Sequence, residues 1–166
     1  MLDIKPTIFI SHIHENSELA RLIKEFINKI FVDSFMIFVS SDEESIGLGY
    51  DWLQKIDNNL ERCEVILLLC SPQSISRPWI AFEAGVGWSK KIKVIPLCYG
   101  LNINQLPLPF SRWQSKNINR RDSLNSLIKK LFNDFGLKYD ELKYDELKCE
   151  NIITEYSNRI KKLEQR

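Results

Sequence analysis

No stretch of this sequence stays apolar for long. Its longest apolar run, Val65 to Cys70, is far short of the roughly 20 residues that cross a bilayer as a helix, so no membrane segment is expected. The amino terminus, MLDIKPTIFIS, has no basic head followed by an apolar stretch of signal-peptide length, which makes the cytoplasm the expected compartment. An excess of charge is missing too: 23 Lys plus Arg stand against 22 Asp plus Glu, a net charge of +1. With no global field to attract nucleic acid or an anionic membrane, partners have to be chosen by a local site. The cysteines at 63, 70, 98 and 149 form no CxxC pair and have no histidine at ligand spacing. They support neither a metal site nor a disulfide scaffold, and read as reduced, mostly core residues. No glycine-rich phosphate loop follows the first strand, whose exit reads Ser11-His12-Ile13-His14-Glu15 and lacks both GxGxxG and a P-loop lysine. GxSxG is absent, which removes the serine elbow of the hydrolases. A phosphoacceptor receiver would want acids after strand one and Asp at the end of strand three, where this chain has Ser11-His12 and Cys70-Ser71.

What is present is the pattern of one soluble α/β domain. The 166 residues are 44% hydrophobic and 27% charged, enough for a single core and too few for two. Strand candidates are Thr7 to Ser11, Phe35 to Ser40, Val65 to Cys70 and Lys93 to Tyr99. The last three are nearly continuous apolar runs, as in parallel strands buried on both faces. Between them lie helical patterns. Leu19, Leu22, Ile23, Phe26, Ile27 and Ile30 make one stripe, and Leu124, Leu127, Ile128, Leu131, Phe132 and Phe135 repeat its spacing. A helix from about Trp52 to Cys63, capped by Asp51 with Gln54 closing the box, and another from Pro78 to about Lys90 complete the set. With a weak fifth strand near Trp113 to Ile118, these units predict an open parallel five-stranded sheet with helices on both faces. Ligands of such sheets bind outside the carboxyl ends of the strands.

Residues 138–147 read KYDELKYDEL, a tandem five-residue repeat, followed by Ile152, Ile153, Tyr156, Ile160 and Leu163 at helical spacing. The domain is therefore expected over 1–136, with 137–166 a helical tail that packs on the domain, packs on another chain, or frays into solvent.

Glu83 is the only charged residue between Arg77 and Lys90. Its neighbours must face the core, so its carboxylate loses hydration and needs partners. Trp79 lies four residues before it on the same helical face. An aromatic plate beside a carboxylate could hold a ribosyl group. A capping or salt-bridging Glu beside a core Trp fits the spacing as well. Trp88 and Trp113 read as core or loop anchors, Lys90, Lys91 and Lys93 as partners of a helix carboxyl end, and Gly85 and Gly87 as packing residues.

TIFISH, the stretch Asp42 to Trp52, VILLLCSP at 65–72, and RPWIAFEAG followed by KVIPLCYG resemble the successive boxes of a TIR domain over residues 7 to about 135. The form of these boxes is most similar to that of standalone bacterial members. The resemblance implies a flavodoxin-like fold, and either an adaptor that only assembles or an enzyme that cleaves NAD at the nicotinamide–ribose bond. In the enzymes a Glu on the third helix is catalytic, with a Trp one turn before it, the pattern matched by Glu83 and Trp79. Residues 42–51 correspond to the BB loop, which closes over substrate, so that Asp42 is implied as substrate-binding, and which makes head-to-tail contacts in assemblies. Ser11 and His12 match the corner that lines the nucleotide cleft. Enzymatic relatives often carry a basic residue just after that corner, where this chain has Ile13 and His14.

On that resemblance the expected function is an NAD glycohydrolase or ADP-ribosyl cyclase, switched on by assembly. NAD would be substrate, not cofactor, and no metal is implied. The product would be an ADP-ribose-derived signal read by a separate effector in bacterial antiphage immunity. A non-enzymatic interaction module is the alternative, and a nucleoside ribosyltransferase a third.

Overall fold

The computed structural model describes residues 5–40, 60–137 and 146–166. Its elements run β1 (Thr7–Ser11), α1 (Ser17–Phe31), β2 (Met36–Val39), β3 (Cys63–Cys70), α2 (Pro78–Ser89), β4 (Lys93–Cys98), β5 (Lys116–Asn117), α3 (Arg121–Asp134) and α4 (Glu146–Glu164). All five strands are parallel, in the order β2-β1-β3-β4-β5. Side chains alternate across a strand, and the core follows that parity. Ile8, Ile10, Val65, Leu67, Leu69, Ile95 and Leu97 point to one side, where α1, α3 and α4 bury their apolar stripes. Phe9, Ile66, Leu68, Cys70, Val94 and Cys98 point to the other, under α2. This is the open α/β sheet with helices on both faces that the apolar runs predict.

Each helix has a local cause. The stripe of α1 is buried from Leu19 to Phe31, and its end is marked by Val32 in the left-handed region (φ 48°, ψ 53°), an uncommon place for a β-branched residue. Pro78 stands in the first turn of α2, where its missing N–H costs nothing. Further along, Gly87 lets that helix approach the sheet: a Cβ there would lie 2.6 Å from Ile66 Cδ1 and 2.9 Å from Val94 Cγ2. Gly85, expected to serve packing too, has nothing within 4 Å of such a Cβ. The stripe of α4 does find cover on its own chain. Cys149, Ile153, Tyr156 and Ile160 join the core cluster of α1 and α3. The Tyr156 ring lies 5.5 Å from that of Phe26 and is flanked by Lys29 Nζ and the Arg159 guanidinium.

Several boundaries differ from the sequence reading. β3 starts at Cys63 instead of Val65, so the preceding helix cannot run to Cys63; of that expected helix residues 60–63 are described, with Leu60 and Glu61 helical, Arg62 in a turn and Cys63 already in β3. β5 is just Lys116–Asn117, because only those residues align with Leu97 and Cys98 of β4. Trp88 is no core anchor, being 69% exposed. No described helix is long and apolar enough to cross a membrane.

Candidate functional site

Helix α2 buries Ile80, Glu83, Ala84 and Gly87. That is the i, i+3, i+4, i+7 stripe of a helix lying on a sheet, with a carboxylate at one of its apolar positions. Glu83 is fully buried. β1 supplies the polar group that receives it: Ser11 has the parity of Phe9, so it faces the α2 layer, and its Oγ donates a hydrogen bond to Glu83 Oε2. Residues 72 apart in sequence thus meet at the carboxyl end of β1, the edge where such sheets bind ligands.

The neighbouring groups fall on either side of this pair. His12, buried, follows Ser11 at the strand exit, whereas His14 is exposed in the next turn. Trp79, one helical turn before Glu83, is half-buried and stacks on Phe82 with ring centroids 5.2 Å apart. Ser11, His12, Glu83 and Trp79 therefore share one corner of the fold. Asp42 and the rest of the expected loop at 42–51 lie outside the described residues. Trp113, half-buried, belongs elsewhere, with Leu106 and Lys116 in the lining of a cavity of about 510 Å³ beside β5.

Sequence reasoning missed a second polar set beside this corner. Asn16, Ser71 and Ser74 are buried. Ser71 Oγ donates to Asn16 Oδ1 at 2.9 Å, and the Ser71 N–H donates to Ser74 Oγ at 2.7 Å. The one available signal was the polar content of Ser71-Pro72-Gln73-Ser74 straight after an apolar strand, which reads equally well as an exposed turn.

Cys63, Cys70 and Cys98 are not suited to nucleophilic work. Burial pushes the Cys98 thiol up to about 11, against a hydrogen bond with Ser115. It pushes Cys63 up to about 12 and raises Cys70 as well. Such thiols stay protonated near neutral pH. Among the described residues no three His, Cys, Asp or Glu side chains are grouped to hold a metal ion.

Comparison with known proteins adds the family. None of the curated proteins matches the chain. A similar solved structure is that of the TIR domains in the activated Roq1 resistosome directly recognizing the pathogen effector XopQ. It is 11% identical, with a TM-score of 0.43 over 92% of this chain and 84% of that one. The family model described as TIR domain matches residues 8–132, a span that runs from β1 into α3 and takes in Ser11, Trp79 and Glu83; this chain belongs to the TIR domain family.

Proposed function

We propose that this TIR domain cleaves NAD at the nicotinamide–ribose bond, as a glycohydrolase or ADP-ribosyl cyclase. The family includes such enzymes. The observation that carries the reading is Glu83, a carboxylate placed in the sheet-facing stripe of α2 and held by the Ser11 hydroxyl at the carboxyl edge of β1. An apolar residue would serve packing better there, since a buried carboxylate has to recover its lost hydration.

One carboxylate is enough for this chemistry. Ordinary glycosides need an acid to protonate the departing oxygen, hence two carboxyl groups. Nicotinamide is cationic while bound to ribose. When the C1′–N bond breaks, its electron pair stays on the ring nitrogen and nicotinamide departs neutral. Positive charge is left on the ribosyl ring as an oxocarbenium-like centre. An acceptor, the oxygen of water or of a ribose hydroxyl, a ring nitrogen of adenine or another nucleophile, then bonds to C1′; an oxygen acceptor releases its proton to solvent, and a cyclising reaction draws its acceptor from NAD itself. A carboxylate about 4 Å from that centre is worth roughly 4 kcal/mol at the dielectric of a partly shielded site. Glu83 supplies that charge, Ser11 keeps the carboxylate oriented, and Trp79 packs against the ribose or nicotinamide. His12 and Asp42 contact the rest of the nucleotide. Activation by assembly through residues 42–51, and a product read by a separate effector in antiphage defence, belong to the same proposal.

The test is to incubate the purified protein with NAD across a range of protein concentrations and resolve the products by mass. Wild type should release nicotinamide at a rate per molecule that rises with concentration. Glu83→Gln, which keeps an acceptor for Ser11, should lower turnover by at least ~10²-fold, the usual effect of removing one electrostatic stabiliser. A folded Glu83→Gln protein with wild-type turnover overturns the assignment. A wild type that assembles yet leaves NAD intact makes the domain an adaptor.

A further inference from the structure

Two turns adjoin the segments that meet at Glu83, one after β1 and one before α2, and side chains tie them together twice. His14–Asn16 follows β1 and the Ser11–His12 exit; Ser74–Ser76 follows β3 and leads into α2. The inner tie is the buried hydrogen bond from Ser71 Oγ to Asn16 Oδ1, 2.9 Å across 55 residues of sequence. The outer tie is the ion pair of Arg77 Nη2 with Glu15 Oε1 at 3.0 Å, both groups half-exposed.

The inner tie has a fixed direction. Ser71 Oγ accepts from the Ser74 N–H at 3.1 Å, which leaves the hydroxyl proton for Asn16. Ser74 Oγ in turn donates to the Leu69 carbonyl at 2.8 Å, anchoring the turn to the last residues of β3. On the other side the Asn16 N–H donates to the Ile13 carbonyl at 2.9 Å, so holding Asn16 also holds the segment after His12. Stability alone gives little reason for such a pair, because apolar side chains of matching shape pack a buried position about as well. What a directed polar pair adds is a single geometry.

The geometry points to Asn16 and Ser71 as positioning residues: they set the His12–Asn16 segment against the segment that carries Trp79 and Glu83. This deepens the proposed NAD-cleaving reading and rests on it for its catalytic consequence. Neither residue touches the reacting atoms. Ser11 is already aligned by its pairing with Leu68 of β3. The loop from His12 onward lies outside the sheet: Ile13 is buried under α2, and the Asn16 and Glu15 ties fix the rest of the loop to the segment after β3.

The test compares three proteins with wild type. Asn16→Leu combined with Ser71→Ala removes donor and acceptor of the tie together but also takes the Ser71 Oγ acceptor from the buried Ser74 N–H, so its melting temperature should fall by roughly 5–10 °C while unfolding stays cooperative. Its kcat for NAD should fall ~10-fold or more with KM within about twofold, in keeping with the sensitivity of turnover to small misplacements. Asn16→Asp keeps an acceptor for Ser71 and places a negative charge at the start of α1, so kcat should stay within about threefold. Glu83→Gln reports on the functional reading separately. Amide hydrogen exchange supplies a readout that needs no activity: in the double variant, residues 12–16 should exchange faster while β1 and β3 stay protected. Wild-type kcat in a double variant of an enzyme that Glu83→Gln inactivates overturns the proposal, as does unchanged exchange at 12–16. If wild type leaves NAD intact, the functional reading fails and the exchange result alone decides the tie.

Discussion

An alanine at position 87 tests how closely α2 must sit on the sheet for Glu83 to reach Ser11. The added methyl would stand 2.6 Å from Ile66 Cδ1 and 2.9 Å from Val94 Cγ2, where carbon atoms settle at about 3.5–4.0 Å. Both neighbours are buried, so roughly 1 Å of movement has to come from the helix or from a strained core. Overpacking of this kind costs about 1–3 kcal/mol, and alanine's better helix propensity returns about 1. The balance is a loss of about 0–2 kcal/mol, or up to ~8 °C in melting temperature for a domain of this size. Catalysis should suffer more than stability. Gly87 lies one turn beyond Glu83 on the same buried stripe, and a ~1 Å displacement of a catalytic group can cost ~10²-fold in rate. Thermal unfolding and initial rates of nicotinamide release, measured together, separate the two effects. Gly85→Ala is the control: with nothing within 4 Å, it should gain up to about 1 kcal/mol and leave turnover unchanged. Adding Ile66→Val to Gly87→Ala removes the methyl that makes the closer contact and should recover part of the rate. If Gly87→Ala proves as stable and as active as Gly85→Ala, the close approach of α2 does not control the site.

Three further outcomes follow from the fold. Val32→Gly should raise the melting temperature by a few degrees, since a left-handed φ of 48° costs a side chain about 1–2 kcal/mol and Val32 is 67% exposed; a lower value would mean that its packing outweighs the strain. Truncation after Leu137 removes Cys149, Ile153, Tyr156 and Ile160 from the core. At roughly 1.5–3 kcal/mol for each large apolar side chain that rivals the whole stability of a domain, so cooperative melting near the wild-type temperature would refute the role given to α4. Burial opposes ionisation of Asp134, but the ammonium groups of Lys130 and Lys93, both paired with it at 3.0 Å, outweigh it and hold the carboxyl below its ordinary value. Its stabilisation is present above the unfolded-state value of about 3.9 and is lost as pH falls through the lower folded value. Asp134→Asn should therefore melt lower than wild type at pH 7 and together with it near pH 2, and equal melting at pH 7 would refute the ion pairs as stabilising.

Most of the architecture was legible because burial on two faces leaves a plain mark on sequence. Val65 to Cys70 has no polar alternation since both sides of β3 are covered, and Pro78 marks the start of α2 by its own chemistry. Edges were harder. Lys116–Asn117 carries no apolar pattern, and its strand state depends on β4 lying alongside. The helix expected up to Cys63 gives way to strand because Cys63 pairs with Thr7, a contact without local signature. Glu83 stood out as an isolated charge in an apolar helix, but its hydrogen bond with Ser11 became visible only when parity placed both on the α2 side of the sheet. Asn16 and Ser71 announced nothing: each is an ordinary turn residue until the fold brings them together.

The seating of α4 against α1 also has a consequence in time. Tyr156 and Arg159 both reach Glu25, across 131 and 134 residues of chain. At a synthesis rate of about 5–20 residues per second, that separation corresponds to roughly 7–26 s between the emergence of the two helices. Throughout that interval the side of α1 that meets Tyr156, with Phe26 at its centre, has no native cover. The sheet can assemble around β1, β3 and β4 before then, but the layer beyond α1 closes last. A nascent chain in this state presents an apolar ribbon to its neighbours on the polysome, which is where holding chaperones would act on it.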